Sequence, residues 1–141
     1  MSLEENKAIA RQFYKLIETG DLDLADKVVA EDYVNHNAIP GQTPGLAGYK
    51  EAISALRTSV PDIQYTIDDQ IAEGDKVLTR YRATGTHQGE FLGVAASGKT
   101  LTFRALVLQR VVNGKIQESW LEMDMLGLMQ QMGAIPAPGE G

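Results

Sequence analysis

Proton-transfer chemistry in this chain has few side chains to rest on. The 141 residues include 2 histidines and no cysteine. His36, in EDYVNHN, and His87, in GTHQGEFLG, could each act as a general acid or base near neutral pH. Asp124 ends a long alternating run and could be a pKa-shifted carboxylate at a cavity edge. His36 and Asp124 are the first acid/base candidates and His87 the third. Each also has a plainer structural reading. His36 could hydrogen-bond the proline-rich segment after it. His87 could brace a bend permitted by Gly85, Gly89 and Gly93. Asp124 could cap a helix beginning at Met125, a place where aspartate serves well. Tyr14, Tyr33, Gln109 and Ser119 could orient a carbonyl-bearing ligand by hydrogen bonds, although Tyr14 flanks a helical stripe and could simply complete the core. Met123 reads as core or as an adaptable pocket wall.

No metal site is expected, because the histidines are far apart and neither HExxH nor DxDxDG occurs. GTHQGEFLG lacks the strand–turn–helix context and the lysine of a phosphate-binding loop. Without cysteine there is no disulfide, thiolate nucleophile or cysteine-ligated zinc.

These side chains must be positioned by the stretch Leu101 to Met125, in which two β-type runs flank Asn113-Gly114, a strong hairpin signal. A two-residue loop would pair Val112 with Lys115. A three-residue loop with Gly114 in a bulge would pair Val111 with Lys115. The bulged closure sets Arg104 opposite Glu122, Leu106 opposite Trp120, Leu108 opposite Glu118 and Arg110 opposite Ile116, and the expectation is that register. The other face pairs Phe103 with Met123, Ala105 with Leu121, Val107 with Ser119 and Gln109 with Gln117. That mostly apolar face, with a few uncharged polar groups, suits either the wall of a small-molecule pocket or a plain core. The opposite face, with Leu106, Leu108 and Trp120, predicts a homodimer.

The remaining chain supplies the layer against which this hairpin packs. Ser2 and Glu5 form a capping box, and Ile9, Phe13, Leu16 and Ile17 recur at helical spacing up to Gly20. Asp21 caps a second helix through Val29. Glu31 to Asn37 reads as extended, with Tyr33, Asn35 and Asn37 on one side. A proline- and glycine-rich loop, Ile39 to Gly45, leads to a third helix striped by Leu46, Tyr49, Ile53 and Leu56. Alternation then takes over, with strands through Ile63–Ile71 and Val77–Ala83 around a Glu73-Gly74-Asp75 turn. Leu126, Met129 and Met132 mark a short last helix ending at Gly133. The expectation is α+β: three N-terminal helices on a strongly curved, mostly antiparallel sheet enclosing a pocket. Residues 1–133 form one domain and 134–141 a disordered tail. The chain is 43% hydrophobic, enough for one core, and its net charge of −6 argues against nucleic acid as partner. The charged N-terminus does not resemble a signal peptide, and no apolar run approaches the ~20 residues that cross a bilayer. A soluble, cytoplasmic protein is expected.

Several strings, in order, resemble the SnoaL-like polyketide cyclases of the nuclear-transport-factor-2-like superfamily: NKAIARQFY, GDLDLADKVVAEDYVNHN, GTHQGEFLGV, SGKTLTF and NGKIQESWLEMDMLGLMQQMG. The resemblance implies an α+β cone around an apolar cavity, often dimeric or tetrameric through the outer sheet face. It also implies intramolecular aldol chemistry on a polyketide, without metal or organic cofactor. In that family an aspartate on the last strand and a histidine on the preceding one move the proton. Those positions fall on Leu121 and Val107 here, and both would face the pocket. Asn35 matches an asparagine near the cyclase pocket. The reading is therefore a cofactor-free cyclase, isomerase or dehydratase acting on a small apolar carbonyl compound without the usual pair. His36, Asp124 and His87 would serve as acid/base groups, with Tyr14, Tyr33, Asn35, Val107, Gln109, Ser119, Leu121 and Met123 around the ligand. The other reading is a non-catalytic binding or assembly module. It gains if none of the three acid/base candidates opens onto the cavity.

Overall fold

The computed structural model describes residues 2–37 and 42–136. In chain order the elements are α1 (Leu3–Thr19), α2 (Leu22–Val28), β1 (Val29–Asn35), α3 (Gly45–Ser59), β2 (Gln64–Glu73), β3 (Lys76–Thr86), β4 (Thr100–Val112), β5 (Lys115–Met123) and α4 (Met125–Gln131). The local chemistry accounts for the helix ends. The Ser2 hydroxyl accepts the Glu5 N–H at 3.1 Å to start α1, and Gly20 ends it in the left-handed region at φ 71°. Asp21 caps α2 by accepting the Leu24 N–H at 3.1 Å. α1, α2 and α3 are the three expected helices, β1 runs between the last two, and α4 closes the described fold. The predicted loop falls partly on 38–41 and the predicted tail partly on 137–141, both outside the described residues. Ala134 and Pro136, at the start of that tail, are bonded back to α4 through Met129 O and Gln130 Nε2.

The sheet order is β1-β5-β4-β3-β2, antiparallel except for β1, which runs parallel to β5. Irregularities at Ile67/Asp69 and Arg110/Val111 each raise the local twist and help the long β3–β4 ribbon curl over the helices. The central hairpin departs from the expected register. Its turn is the two-residue form, with Val112 facing Lys115 and both Asn113 and Gly114 at positive φ, 51° and 77°. The extra residue is Gln117, which has no partner on β4 and bonds Asp32 on β1 at 2.9 Å instead. The remaining pairs are therefore displaced by two. Leu108 faces Trp120, Leu106 faces Glu122, and Arg110 faces Glu118 in a 2.6 Å ion pair, while Arg104 lies opposite Arg82 of β3. On the other face Gln109 meets Ser119, Val107 meets Leu121 and Ala105 meets Met123. Matching charged and apolar partners did not single out one register, because the actual pairing satisfies the same rule. A displacement of two keeps the side chains from Glu118 to Met123 on their expected faces, whereas Ile116, expected opposite Arg110 on the outer face, pairs with Val111 and is buried inside.

The concave face packs against α1 and α3, with Leu16, Val29, Ile53, Leu101 and Ile116 fully buried. α4 buries Leu128 and covers the part of β4 that β5 does not reach. There the Gln131 side-chain amide bonds both backbone groups of Thr102 at 2.7 Å. No helix among the described residues is long and apolar enough to cross a membrane.

Candidate functional site

Between the concave sheet, α1, α3 and the end of β1 lies a cavity of about 320 Å³. The strand period that places Val107 inward from β4 also places Ser119 and Leu121 inward from β5 and Tyr81 from β3. The helical period brings Phe13, Tyr14 and Ile17 from α1, and Tyr49 from α3. Tyr33 and Asn35 enter from β1 and Tyr65 from β2. All 5 tyrosines of the chain thus line one cavity. Phe13 stacks on Tyr49 at 4.5 Å, while Tyr14, Tyr65 and Tyr81 form a mutual cluster with centroids 5.0–5.4 Å apart. Such rings combine apolar bulk with a polar tip.

No Asp, Glu, Lys, Arg or His stands among the described lining residues. Burial pushes the Tyr33 and Tyr81 phenols up to about 12, with Ser119 pulling Tyr33 slightly back. Tyr14, Tyr49 and Tyr65 are raised well above the usual phenol range, again chiefly by burial and then by their tyrosine neighbours. The wall is therefore neutral and its phenols stay protonated. The Tyr49 hydroxyl donates to Phe13 O at 2.7 Å. Tyr14 Oη is sealed from solvent without a partner in bonding geometry, although the Thr79 hydroxyl is near enough to oppose the rise.

Of the expected ligand contacts, Tyr14, Tyr33, Asn35, Val107, Ser119 and Leu121 line the cavity. Gln109 stands one layer behind, fully buried, and donates from Nε2 to Ser119 Oγ at 3.1 Å. Met123 is half-buried against the core and is not among the lining residues. The three acid/base candidates all lie elsewhere. His36 is on the convex side, stacked on Trp120 at 4.5 Å and 3°, with Nε2 2.8 Å from Glu118. Side chains alternate along β1, so with Asn35 turned to the cavity the next residue faces away. His87 is fully buried in the bend after β3. Its Nδ1 accepts from the Ser97 N–H at 3.3 Å and sits 2.8 Å from Ser97 Oγ. Backbone bonds between His87 and Lys99 and between Gly98 and His87 close the same bend. Asp124 caps α4, accepting the Gly127 N–H at 3.0 Å. No grouping that could hold a metal occurs among the described residues. Phe13, Tyr49, Tyr65 and Tyr81 were not singled out by their sequence pattern, since each occupies an apolar position that reads equally well as core.

Val107 and Leu121, the positions to which the cyclase resemblance carries its histidine and aspartate, are direct cross-strand partners on this wall. The chain has the walls of such a pocket with two aliphatic side chains at its centre. Comparison with known proteins agrees with the architecture. The chain is 25% identical over 129 residues to aklanonic acid methyl ester cyclase DnrD of Streptomyces peucetius, covering 89% of this chain and 88% of that protein. It is 26% identical over 129 residues to aklanonic acid methyl ester cyclase DauD of a Streptomyces species, covering 89% and 80%. The structure of TsrD from Streptomyces laurentii superposes with a TM-score of 0.89 at 29% identity, covering 96% of this chain and 99% of that one. A family model described as SnoaL-like polyketide cyclase matches residues 7–132, and the chain belongs to that family.

Proposed function

We propose that this protein binds a small, neutral, carbonyl-bearing molecule of polyketide type in the tyrosine-lined cavity, without a cofactor. The observation that carries the reading is the wall itself: aromatic and aliphatic surface, five protonated phenols, Asn35 and Ser119, and, among the described lining residues, no carboxylate, imidazole or amine to form an acid/base pair. Such a wall favours apolar burial with oriented hydrogen bonds. Tyr33, Asn35 and Ser119 hold the polar end of the ligand, the Tyr14 ring packs beside it, and Val107 and Leu121 hold its ring.

A second reading has the same site turn its ligand over by cyclisation, isomerisation or dehydration, and the cyclase names of two relatives favour it. Hydrogen bonds from neutral phenols to a developing enolate would then supply the catalysis, and an acidic substrate would lose its proton to water. Calorimetric titration with an aldol-type polyketide mimic, run beside a product assay, separates the two readings. Heat of binding without product supports the first, product formation lost in Tyr33→Phe supports the second, and neither heat nor product rejects both.

A further inference from the structure

The hydrogen-bonding capacity of this cavity is unevenly committed. Behind the rim residues Gln42 and Thr43, the strong acceptors already serve the protein. Asn35 Oδ1 takes the Asn37 N–H at 2.9 Å, which fixes the amide and leaves the two Nδ2 protons over. Ser119 Oγ takes a proton from Gln109 Nε2 at 3.1 Å, and its own O–H is directed at Tyr33 Oη, where it opposes the rise in the Tyr33 pKa. Phe13 O is occupied by the Tyr49 hydroxyl at 2.7 Å. Tyr14 Oη is sealed from solvent beside the Thr79 hydroxyl, so it adds bulk to the wall and no free donor. What remains for a ligand is the Asn35 amide protons and the O–H groups of Tyr33, Tyr65 and Tyr81, whose phenol oxygens accept poorly.

Size and charge narrow the occupant further. A volume of about 320 Å³ lies at the low end of the range of roughly 300–1,000 Å³ usual for ligand pockets, room for one or two rings. A charged ligand would meet no counter-ion among the described lining residues. We infer that the cavity selects neutral one- or two-ring ligands by their acceptors, taking ketones and quinone-type dicarbonyls in preference to the corresponding alcohols. This rests on the binding role proposed above and adds a donor/acceptor rule to it.

A matched series tests the rule: 1-tetralone offers an acceptor, 1-tetralol brings a donor, and tetralin has neither. Titrated into the wild-type protein, the ketone binds tightest and the alcohol roughly tenfold more weakly, the cost of one buried donor left without an acceptor. Asn35→Asp keeps the bond to Asn37 and exchanges two donors for an acceptor, so it reverses the order of ketone and alcohol. Equal or tighter binding of the alcohol by the wild type, with tetralin bound as well, overturns the donor/acceptor rule and leaves the binding role standing. No binding of any of the three removes the binding role and this inference with it. The wild-type ranking decides alone if the variant does not fold.

Discussion

Asp124 illustrates how one side chain answers two questions at once. Its carboxylate accepts the Gly127 N–H at 3.0 Å, and a Cβ at Gly127 would stand 2.3 Å from Asp124 Oδ2, so a larger residue there would push the cap aside. Removing the cap by Asp124→Ala lowers stability by about 1 kcal/mol. Asp124→Asn, which keeps a good cap, leaves stability and any turnover unchanged. Urea unfolding and the product assay check both, and loss of turnover in the asparagine variant alone would make the carboxylate an acid/base group. Glu118 makes a pH-dependent contribution instead. Hydrogen bonds from His36 first and Arg110 second hold its carboxyl below the usual range. A depressed carboxylate stabilises the fold above its ordinary pKa, and that stabilisation fades as pH falls through the lowered value. Glu118→Gln therefore unfolds at lower urea than wild type at pH 7, and the two converge as the pH falls through the lowered Glu118 pKa. The acid/base candidates were legible as residue types, whereas their directions were not. One step along β1 separates Asn35 in the cavity from His36 outside it.

The elements were read more securely than their registration. Ser2, Asp21, Gly20 and the Asn113-Gly114 turn each fix a local geometry by their own chemistry, and each does so here. The bulge escaped because Gln117 carries no local signal. It is set by β1, whose Asp32 holds the Gln117 amide from a strand 85 positions away in sequence. The period of two protected the face assignment from that error, so the cavity wall on β4 and β5 was legible although its pairing was not. Tyr49, Tyr65 and Tyr81 remained hidden because a core face and a cavity wall share one apolar pattern. The packing of α3 gives a further test. A Cβ on Gly48 would lie 1.7 Å from Thr43 O, so the cavity rim rests directly on helix backbone. Gly48→Ala forces the two apart and costs about 2 kcal/mol, within the range for an overpacked contact. Because the displaced Thr43 lines the cavity, the variant also weakens ligand binding, which thermal unfolding and titration measure separately.

For the molecule as a whole, the convex sheet face is the surface still to be accounted for. Leu106 is 43% exposed there, beside half-buried Leu108 and Trp120, with Arg80, Arg82 and Arg104 near Asp68 and Glu122. Apolar side chains set among charges of both signs can meet their own copy across a two-fold axis. The expectation is a homodimer through this face, seen by light scattering at micromolar concentration, with Leu106→Glu producing monomer. A monomeric wild type would refute it.

The distribution of aromatic side chains has a practical consequence. Every tyrosine faces the cavity, and the single tryptophan stands on the opposite side of the sheet against His36. The two kinds of chromophore are therefore sorted by compartment. Emission excited in tyrosine reports on what fills the interior, and emission from Trp120 reports on what touches the outside. A ligand that quenches the first while leaving the second untouched has entered the cone, and a change confined to the second marks contact between subunits. The wild-type chain carries both gauges without any label.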